Sequence, residues 1–342
     1  MIQGRSSPGG RAQDINIVFK DNGQGLSRDA RLLEGILTSA GHSVSLSPQP
    51  FQPPLELRFL PEQGKRAIAG TRNAAIRWTR SRGRRWDLNI FLEGLDERYL
   101  GLARTNFFFP NQEWLTREDR GRMGALDLVL FKTRHAEERL ADAARKSALV
   151  GFTSEDKRRT GVTKDWNTAL HVAGWNPYKG TEAILAAWRS HPEWPTATVV
   201  AQSAQGPSAA NLQVVTKRLS HAALAELQNG AGLHLCPSEA EGFGHSINEA
   251  RSCGAAVLTT DGPPMNELVT PASGLLAPYG ETEPMASGTR YKITGAGLNA
   301  AVERWIQMSL TDRERLGAAA RAAFEADDEA FRANLLRLVA SC

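Results

Sequence analysis

Two glutamates, Glu241 and Glu249, enclose the stretch EGFGHSINE with seven residues between them. Gly242 and Gly244 flank Phe243 just after the first glutamate, a composition that lets the backbone take positive φ and lets a ligand approach it closely. From near His245 the residues read as a helix. Its first N–H groups, around Gly244, His245, Ser246 and Ile247, have no intrahelical partners and form, with the helix dipole, a ready phosphate site. Glu241 precedes this helix, whereas Glu249 sits a little over one turn inside it, at about 1.5 Å of rise per residue. Carboxylates so placed do not easily share a proton or a metal. They suit two hydroxyl-bearing ends of one elongated ligand, with a phosphate held between them.

The elements that must position this loop alternate along the chain. INIVFK (15–20) reads as a strand and leads through DNGQGLS into RDARLLEGILTSAG (28–41), where Leu32, Leu33, Ile36 and Leu37 recur at helical spacing. SVSLS (43–47), a basic helical stretch, DLNIFLE (87–93), NFFFP (106–110), LDLVLFK (126–132) and the helical TRHAEERLADAARK (133–146) follow. The polar segment TSEDKRRTGVTKDWN (153–167) reads as a linker. A second series then begins with TALHVAGW (168–175), KGTEAILAAWRSH (179–191), TATVVAQ (196–202), LQVVT (212–216), HAALAELQNG (221–230), GLHLCPS (232–238), GHSINEARSCG (244–254) and AAVLTT (255–260). Strands alternating with helices predict parallel sheets covered on both faces, with ligands at the carboxyl ends of the strands. The expected organisation is a first domain over 1–152, the linker, a second domain over 168–322, and a C-terminal helix over 323–342 able to return to the first domain.

A chain of 342 residues exceeds one ordinary core, in keeping with two domains. No apolar run approaches a membrane span, and the polar opening MIQGRSSPGGRAQD does not read as a signal peptide. Cys236, Cys253 and Cys342 are odd in number and lack C-x-x-C spacing, which argues against disulfides and a zinc site and for a reducing cytoplasm. The net charge of +4 divides unevenly, since residues 1–171 carry 28 Lys/Arg against 20 Asp/Glu and residues 172–342 carry 13 against 17. Much of the excess lies in 65–85, where Arg66, Arg72, Arg77, Arg80, Arg82, Arg84 and Arg85 crowd together. Such a run attracts phosphate or an anionic membrane, or is a solvated helix face. No nucleic-acid partner is expected.

The run CPSEAEGFG, then NEARSCG, then PPMNE is far more specific than the glutamate spacing alone, and it resembles the E-x7-E region of retaining glycosyltransferases of the GT-B fold, family 4, the group 1 type. AGWNPYKGTEAILAAW (173–188) is similar to the family's phosphate loop, and TTDGPPMNELV (259–269) with SGLLAP (273–278) to the segment after the motif helix. DNGQGLSRDARLLEGILTSAGHSV (21–44) is similar to its opening glycine loop, with Gly23 and Gly25 on the donor side. The resemblance implies two Rossmann-like doubly wound domains facing across a cleft, with C-terminal helices. It implies a nucleotide-diphosphate sugar as co-substrate, no other cofactor, and transfer with retention to a saccharide or lipid-linked acceptor. Glu241 would contact the transferred sugar and Glu249 the ribose.

Lys179, after Asn176, is assigned to the diphosphate, because the departing oxygens need positive charge. The family's arginine after the glycine is replaced by Trp175, so Lys217 or Arg218 is the candidate second phosphate ligand. No Asp-x-Asp motif is present, and a metal is not expected. Glu93 and Glu113 are candidate bases near Asn111, although in a front-side displacement the leaving oxygen takes the acceptor's proton and no base is compulsory. Lys132 and Arg134 are candidates to steer an anionic acceptor. Competing expectations are a GT-B sugar epimerase, a phosphorylase, disfavoured by the short chain without a pyridoxal lysine signature, and an inactive module docking on a polyanion or membrane surface. If the basic run docks on anionic lipid, charge reversal at Arg77, Arg80 and Arg84 weakens vesicle co-sedimentation at low salt, because screening shortens to about 8 Å at physiological ionic strength. Equal, salt-independent sedimentation of the wild type and the triple variant contradicts the membrane contact.

Overall fold

The computed structural model describes residues 11–21, 25–50, 86–174, 176–202 and 204–342. The basic stretch 65–85, Gly23 and Trp175 lie outside the described residues. The chain forms two compact units, Met1–Phe131 with Leu140–Val150 and Arg332–Cys342, and Lys132–Arg139 with Gly151–Phe331. Both are α/β.

In the first unit the strands are β1 (Asp14–Asp21), β2 (Ser43–Pro50), β3 (Trp86–Leu92), β4 (Ala103–Phe109), β5 (Leu128–Phe131) and β6 (Ser147–Leu149). Helix α1 (Gly25–Ser39) follows β1, α2 (Glu97–Leu100) precedes β4 and α3 (Arg117–Arg122) precedes β5, while α4 (Arg134–Leu140) follows β5 in sequence but belongs, up to Arg139, to the second unit. The sheet order is β2-β1-β3-β4-β5-β6 and every pairing is parallel. Leu88, Ile90–Leu92 and Phe107–Phe109 are buried, as the central strands of a parallel sheet require. Three asparagines fix the register. Asn16 donates to Asn89 Oδ1 at 3.0 Å, and Asn89 to Asn106 Oδ1 at 3.0 Å, at positions directly opposite one another on β1, β3 and β4. A slip of one residue strands these amides in an apolar interior.

The second unit has strands β7 (Asp165–Val172), β8 (Thr196–Val200), β9 (Leu212–Val215), β10 (Ala231–Cys236), β11 (Ala256–Thr260) and β12 (Gly274–Ala277). They lie in the order β12-β11-β10-β7-β8-β9, all parallel. The helices are α5 (Thr181–Ser190), α6 (His221–Gly230), α7 (His245–Ser252), α8 (Met265–Leu268), α9 (Gly295–Gln307) and α10 (Leu310–Ala340). Two antiparallel strands, β13 (Tyr279–Met285) and β14 (Gly288–Ile293), form a separate hairpin between β12 and α9. All six residues of β10 are buried, and Trp188, Leu235, Leu258, Leu298 and Trp305 belong to the core packed around the sheet. In α10 the buried Leu316, Ala320, Phe324, Phe331, Leu335 and Val339 form one helical stripe, and the residues from Arg332 belong to the first unit.

Among the described residues each predicted strand and helix is observed, whereas α2, α3, α8, β6 and β12 were not predicted, and three further differences stand. The helix read over 133–146 is α-helical only over Arg134–Leu140 and then tightens into a 3-10 turn, Ala141–Ala143. The segment 153–167 belongs to the second unit, where Thr153 and Ser154 are buried, the Asn229 amide donates to Lys157 O at 2.8 Å, and the last residues open β7. The hairpin was not predicted. Among the described residues no helix is long and apolar enough to cross a membrane.

Two histidines are locked inside the second sheet. His234 Nε2–H donates to Gln228 O at 2.8 Å, and His171 lies between Leu235 O and the Thr181 hydroxyl at 2.7 and 2.9 Å. Burial pushes both imidazoles down to about 4 from the ordinary 6.5. The unfolded chain therefore binds protons at these histidines below about 6.5, whereas the folded chain does so only below about 4. Their contribution to stability is fully present above the first value and is lost as pH falls to the second. The loss is on the order of 3 kcal/mol per histidine. Urea midpoints should fall across this window for the wild type, and about half as steeply for His234→Gln if the two histidines dominate. An unaltered slope in His234→Gln contradicts the assignment.

Candidate active site

β7 and β10 are parallel neighbours, so the loops after them leave the same edge of the sheet side by side. After β7 the chain turns at Gly174 (φ 61°) into a 3-10 turn, Pro177–Lys179. Asn176 caps that turn, its side chain accepting from Tyr178 N–H at 2.9 Å. Gly180 (φ 70°) then opens α5. After β10, Pro237–Phe243 lead to Gly244 (φ 108°), which opens α7. Neither glycine supplies a side-chain cap, and the positive ends of both helix dipoles lie at these two loops. Gly180 is also required by space, since a Cβ there collides with the Pro237 carbonyl oxygen and lies 2.9 Å from Pro237 Cγ.

This contact brings Lys179 to Glu241. The Lys179 ammonium is ion-paired with the Glu241 carboxylate and donates to Ser246 Oγ at 3.2 Å, at the start of α7. Their side chains are only 14% and 10% exposed, so each charge is largely withdrawn from water and depends on the other. Beneath them, the Leu235 carbonyl can only accept, which places the His171 proton on Nδ1 and leaves Nε2 to accept from Thr181. Burial, with the Lys179 charge adding to it, keeps this imidazole neutral. Burial also pushes the Cys236 thiol up to about 12, which makes it a packing group rather than a nucleophile. A positive group beside two helix N-termini without side-chain caps, with a carboxylate next to it, is suited to holding a phosphorylated ligand and a hydroxyl-bearing group together.

The family profile of the glycosyl transferases group 1 matches residues 152–322, half of the chain, and contains both loops. The chain belongs to this glycosyltransferase family. No curated protein matches it in sequence. Among solved structures, the glycosyltransferase is similar to the sucrose-phosphate synthase of Thermosynechococcus elongatus, with 15% identity, 96% of this chain and 98% of the other covered, and a TM-score of 0.68. Anabaena HepE, solved with UDP and glucose, has 14% identity over 96% of this chain and 100% of its own, with a TM-score of 0.65. A UDP-forming alpha,alpha-trehalose-phosphate synthase from Burkholderia vietnamiensis has 11% identity over 96% and 100%, with a TM-score of 0.67. These likenesses establish the GT-B fold.

The remaining sequence candidates of the glycosyltransferase fall into place unevenly. Gly242 is buried, and Phe243 is a core residue whose ring meets Phe152 and His245 edge-on at 5.6 and 5.4 Å. His245 Nδ1 is 2.8 Å from Ser154 Oγ. Glu249 lies buried on α7. Lys217 and Arg218 are exposed after β9, the edge strand, with β8 between it and β7, and among the described residues neither is bonded to Lys179 or Glu241. Lys132 is buried, with its ammonium 4.3 Å from the Phe152 ring centroid, instead of facing solvent as a steering charge. Arg134 is exposed, and its backbone N–H donates to Glu267 at 2.7 Å. In the first unit Gly25 opens α1 with open space around it. Asn111 donates to Glu93 Oε2 at 2.9 Å, Glu93 adopts a left-handed φ of 64°, and Glu113 is buried.

Sequence reasoning missed His171, which resembles any apolar-strand histidine, and Ser246 as a direct partner of Lys179. A methyl at position 180 meets both left-handed strain and the Pro237 carbonyl, so Gly180→Ala should cost about 2–4 kcal/mol. Thermal denaturation should show it as a Tm roughly 5 °C or more below wild type. Gly25→Ala, placed in open space, should leave Tm nearly unchanged. Equal melting of the two variants contradicts the packed junction.

Proposed function

We propose that the enzyme transfers a sugar from a nucleotide-diphosphate sugar to a saccharide or lipid-linked acceptor with retention at the anomeric carbon and without a metal. The observation that carries this reading is the Lys179–Glu241–Ser246 cluster between the open N-termini of α5 and α7. Cleavage of the bond between the anomeric carbon and the phosphate oxygen develops negative charge on the diphosphate. Lys179 and the helix N–H groups are preorganised to receive it, which is the task a divalent cation performs elsewhere. Glu241 then accepts hydrogen bonds from hydroxyls of the transferred sugar, and Glu249 from the ribose. On the front-side route the acceptor oxygen bonds to the anomeric carbon from the side that the diphosphate leaves, and its proton passes to the leaving oxygen.

Solved complexes of a similar fold with UDP and with UDP-glucose favour a uridine nucleotide as the first donor to try. The acceptor is assigned to the first unit. At the carboxyl ends of β1, β2 and β3 that unit has an open pocket of about 370 Å³, whose lining includes Lys20, Gln49, Asp96, Arg98 and Arg122. Polar groups of both signs suit a hydroxylated or anionic ligand.

Donor turnover, measured as release of nucleoside diphosphate in excess chelator, should persist in the wild type and fall roughly a hundredfold in Lys179→Ala, the effect of losing one preorganised charge of about 3 kcal/mol. Glu241→Ala should lower kcat, whereas Glu249→Ala should chiefly raise the donor KM. Wild-type kinetics in Lys179→Ala, or activity lost in chelator and restored by a divalent ion, contradict the proposal. Nucleotide binding without any turnover favours the binding-module alternative.

A further inference from the structure

The hairpin β13–β14 is not part of either six-stranded sheet, yet it is fastened to the loop that carries Glu241. The fastening is Glu239, two residues before Glu241 and largely buried. Its backbone N–H donates to Tyr178 O at 2.8 Å, and its carbonyl accepts from Tyr291 N–H at 2.7 Å. Its carboxylate accepts from Arg290 Nε at 2.8 Å, from Arg290 Nη2 at 2.6 Å and from Ile293 N–H at 3.2 Å. One residue thus ties the 3-10 turn of Lys179, the loop of Glu241 and the hairpin together.

Arg290 closes the arrangement from the other side. Its guanidinium lies 5.1 Å from the centroid of the Tyr178 ring, and a further ion pair to Glu283 Oε2 at 3.2 Å holds it against the paired strand. The hydrogen bonds to Glu239 raise its pKa further above an already high value, so the cation persists at any working pH. A lysine cannot reproduce two N–H donors converging on the single oxygen Glu239 Oε2 and a flat cation over a ring at once. Tyr178 precedes Lys179 and Glu239 nearly adjoins Glu241, so both residues gripped by Arg290 are next to the catalytic pair.

We propose that Arg290 and Glu239 are positioning residues, a clamp through which the hairpin fixes the separation of Lys179 and Glu241. The clamp touches neither donor nor acceptor and acts on the reaction by holding the two charges where the leaving diphosphate and the transferred sugar need them. It rests on the function proposed above. Misplacement of a charge that acts in the transition state lowers kcat more than it raises KM, because ground-state binding of the donor is spread over many other contacts.

The test is hydrolysis of UDP-glucose, GDP-mannose and ADP-glucose by the full chain, carried on with whichever donor the wild type turns over. Arg290→Met should lower kcat by about tenfold or more while the donor KM changes by less than about twofold. Arg290→Lys should fall between the two. Glu281→Gln, which alters only an exposed ion pair on the same hairpin, should behave as wild type. In the Lys179→Ala background, Arg290→Met should produce little additional loss, since a clamp has nothing to position once the lysine is gone. Should Arg290→Met fail to fold, Tyr178→Leu removes the ring beneath the guanidinium and should lower kcat in the same sense. Wild-type kinetics in Arg290→Met or Tyr178→Leu, or a loss that multiplies fully with that of Lys179→Ala, overturns the clamp and leaves the proposed function standing. A wild type that hydrolyses none of the three donors and binds none of UDP, GDP and ADP by calorimetry overturns both.

Discussion

An ammonium and a carboxylate, both largely withdrawn from water, meet where two parallel loops touch, and neither is tolerable there without the other. Lys179 and Glu241 are 62 positions apart in sequence, and nothing local brings them together. The meeting requires β7 and β10 to be neighbours, with both strands ending at the same edge of the sheet. It requires Gly180, because any side chain strikes the Pro237 carbonyl. It also requires a rigid floor, which His171 provides by joining β7 to the Leu235 carbonyl of β10 and to the first residue of α5. The fully buried strand β10 and the core around Trp188 and Trp305 hold that floor in place.

The same constraint explains how a resting site can be charged without being unstable. A partly buried lysine alone would pay a desolvation cost of several kcal/mol, and a glutamate alone as much. Paired, they wait in a nearly neutral state beside two helix N-termini whose dipoles favour an anion. On the proposed function a diphosphate arriving there would meet the lysine and both helix ends, while sugar hydroxyls would replace the ammonium as donors to Glu241. Binding then exchanges one set of charge-assisted hydrogen bonds for another, and the acid–base state of His171 does not enter, because burial keeps it neutral.

Much of this was legible in the sequence because it is written in short-range patterns. The alternation of apolar runs with helical stretches predicted parallel sheets, short of the edge strands β6 and β12, and the helix start near His245 is the one the structure uses. What was illegible depends on distant partners or runs against a residue's usual habit. The hairpin reads as polar loop, since YGETEPM carries a proline and little apolar alternation, and its anchor Glu239 lies some forty residues upstream. Lys132 reads as a solvent-facing charge at a strand end, and its burial follows from Phe152, which the sequence does not place beside it. The segment 153–167 reads as a linker from its charges, yet Asn229 and Ser252 receive or donate its backbone hydrogen bonds and hold it along the second unit.

The central claim is that the cluster around Lys179 recognises the terminal phosphate of a nucleoside diphosphate. Calorimetric titration of the wild type and Lys179→Ala with UDP and with UMP tests it most directly, since the two ligands differ only by that phosphate. The account predicts that the wild type binds UDP at least about tenfold more tightly than UMP, as one charge-assisted contact of about 1.5 kcal/mol requires, and that Lys179→Ala loses most of the difference. Measurable binding with equal affinity for UDP and UMP in the wild type, or an undiminished preference in Lys179→Ala, contradicts it.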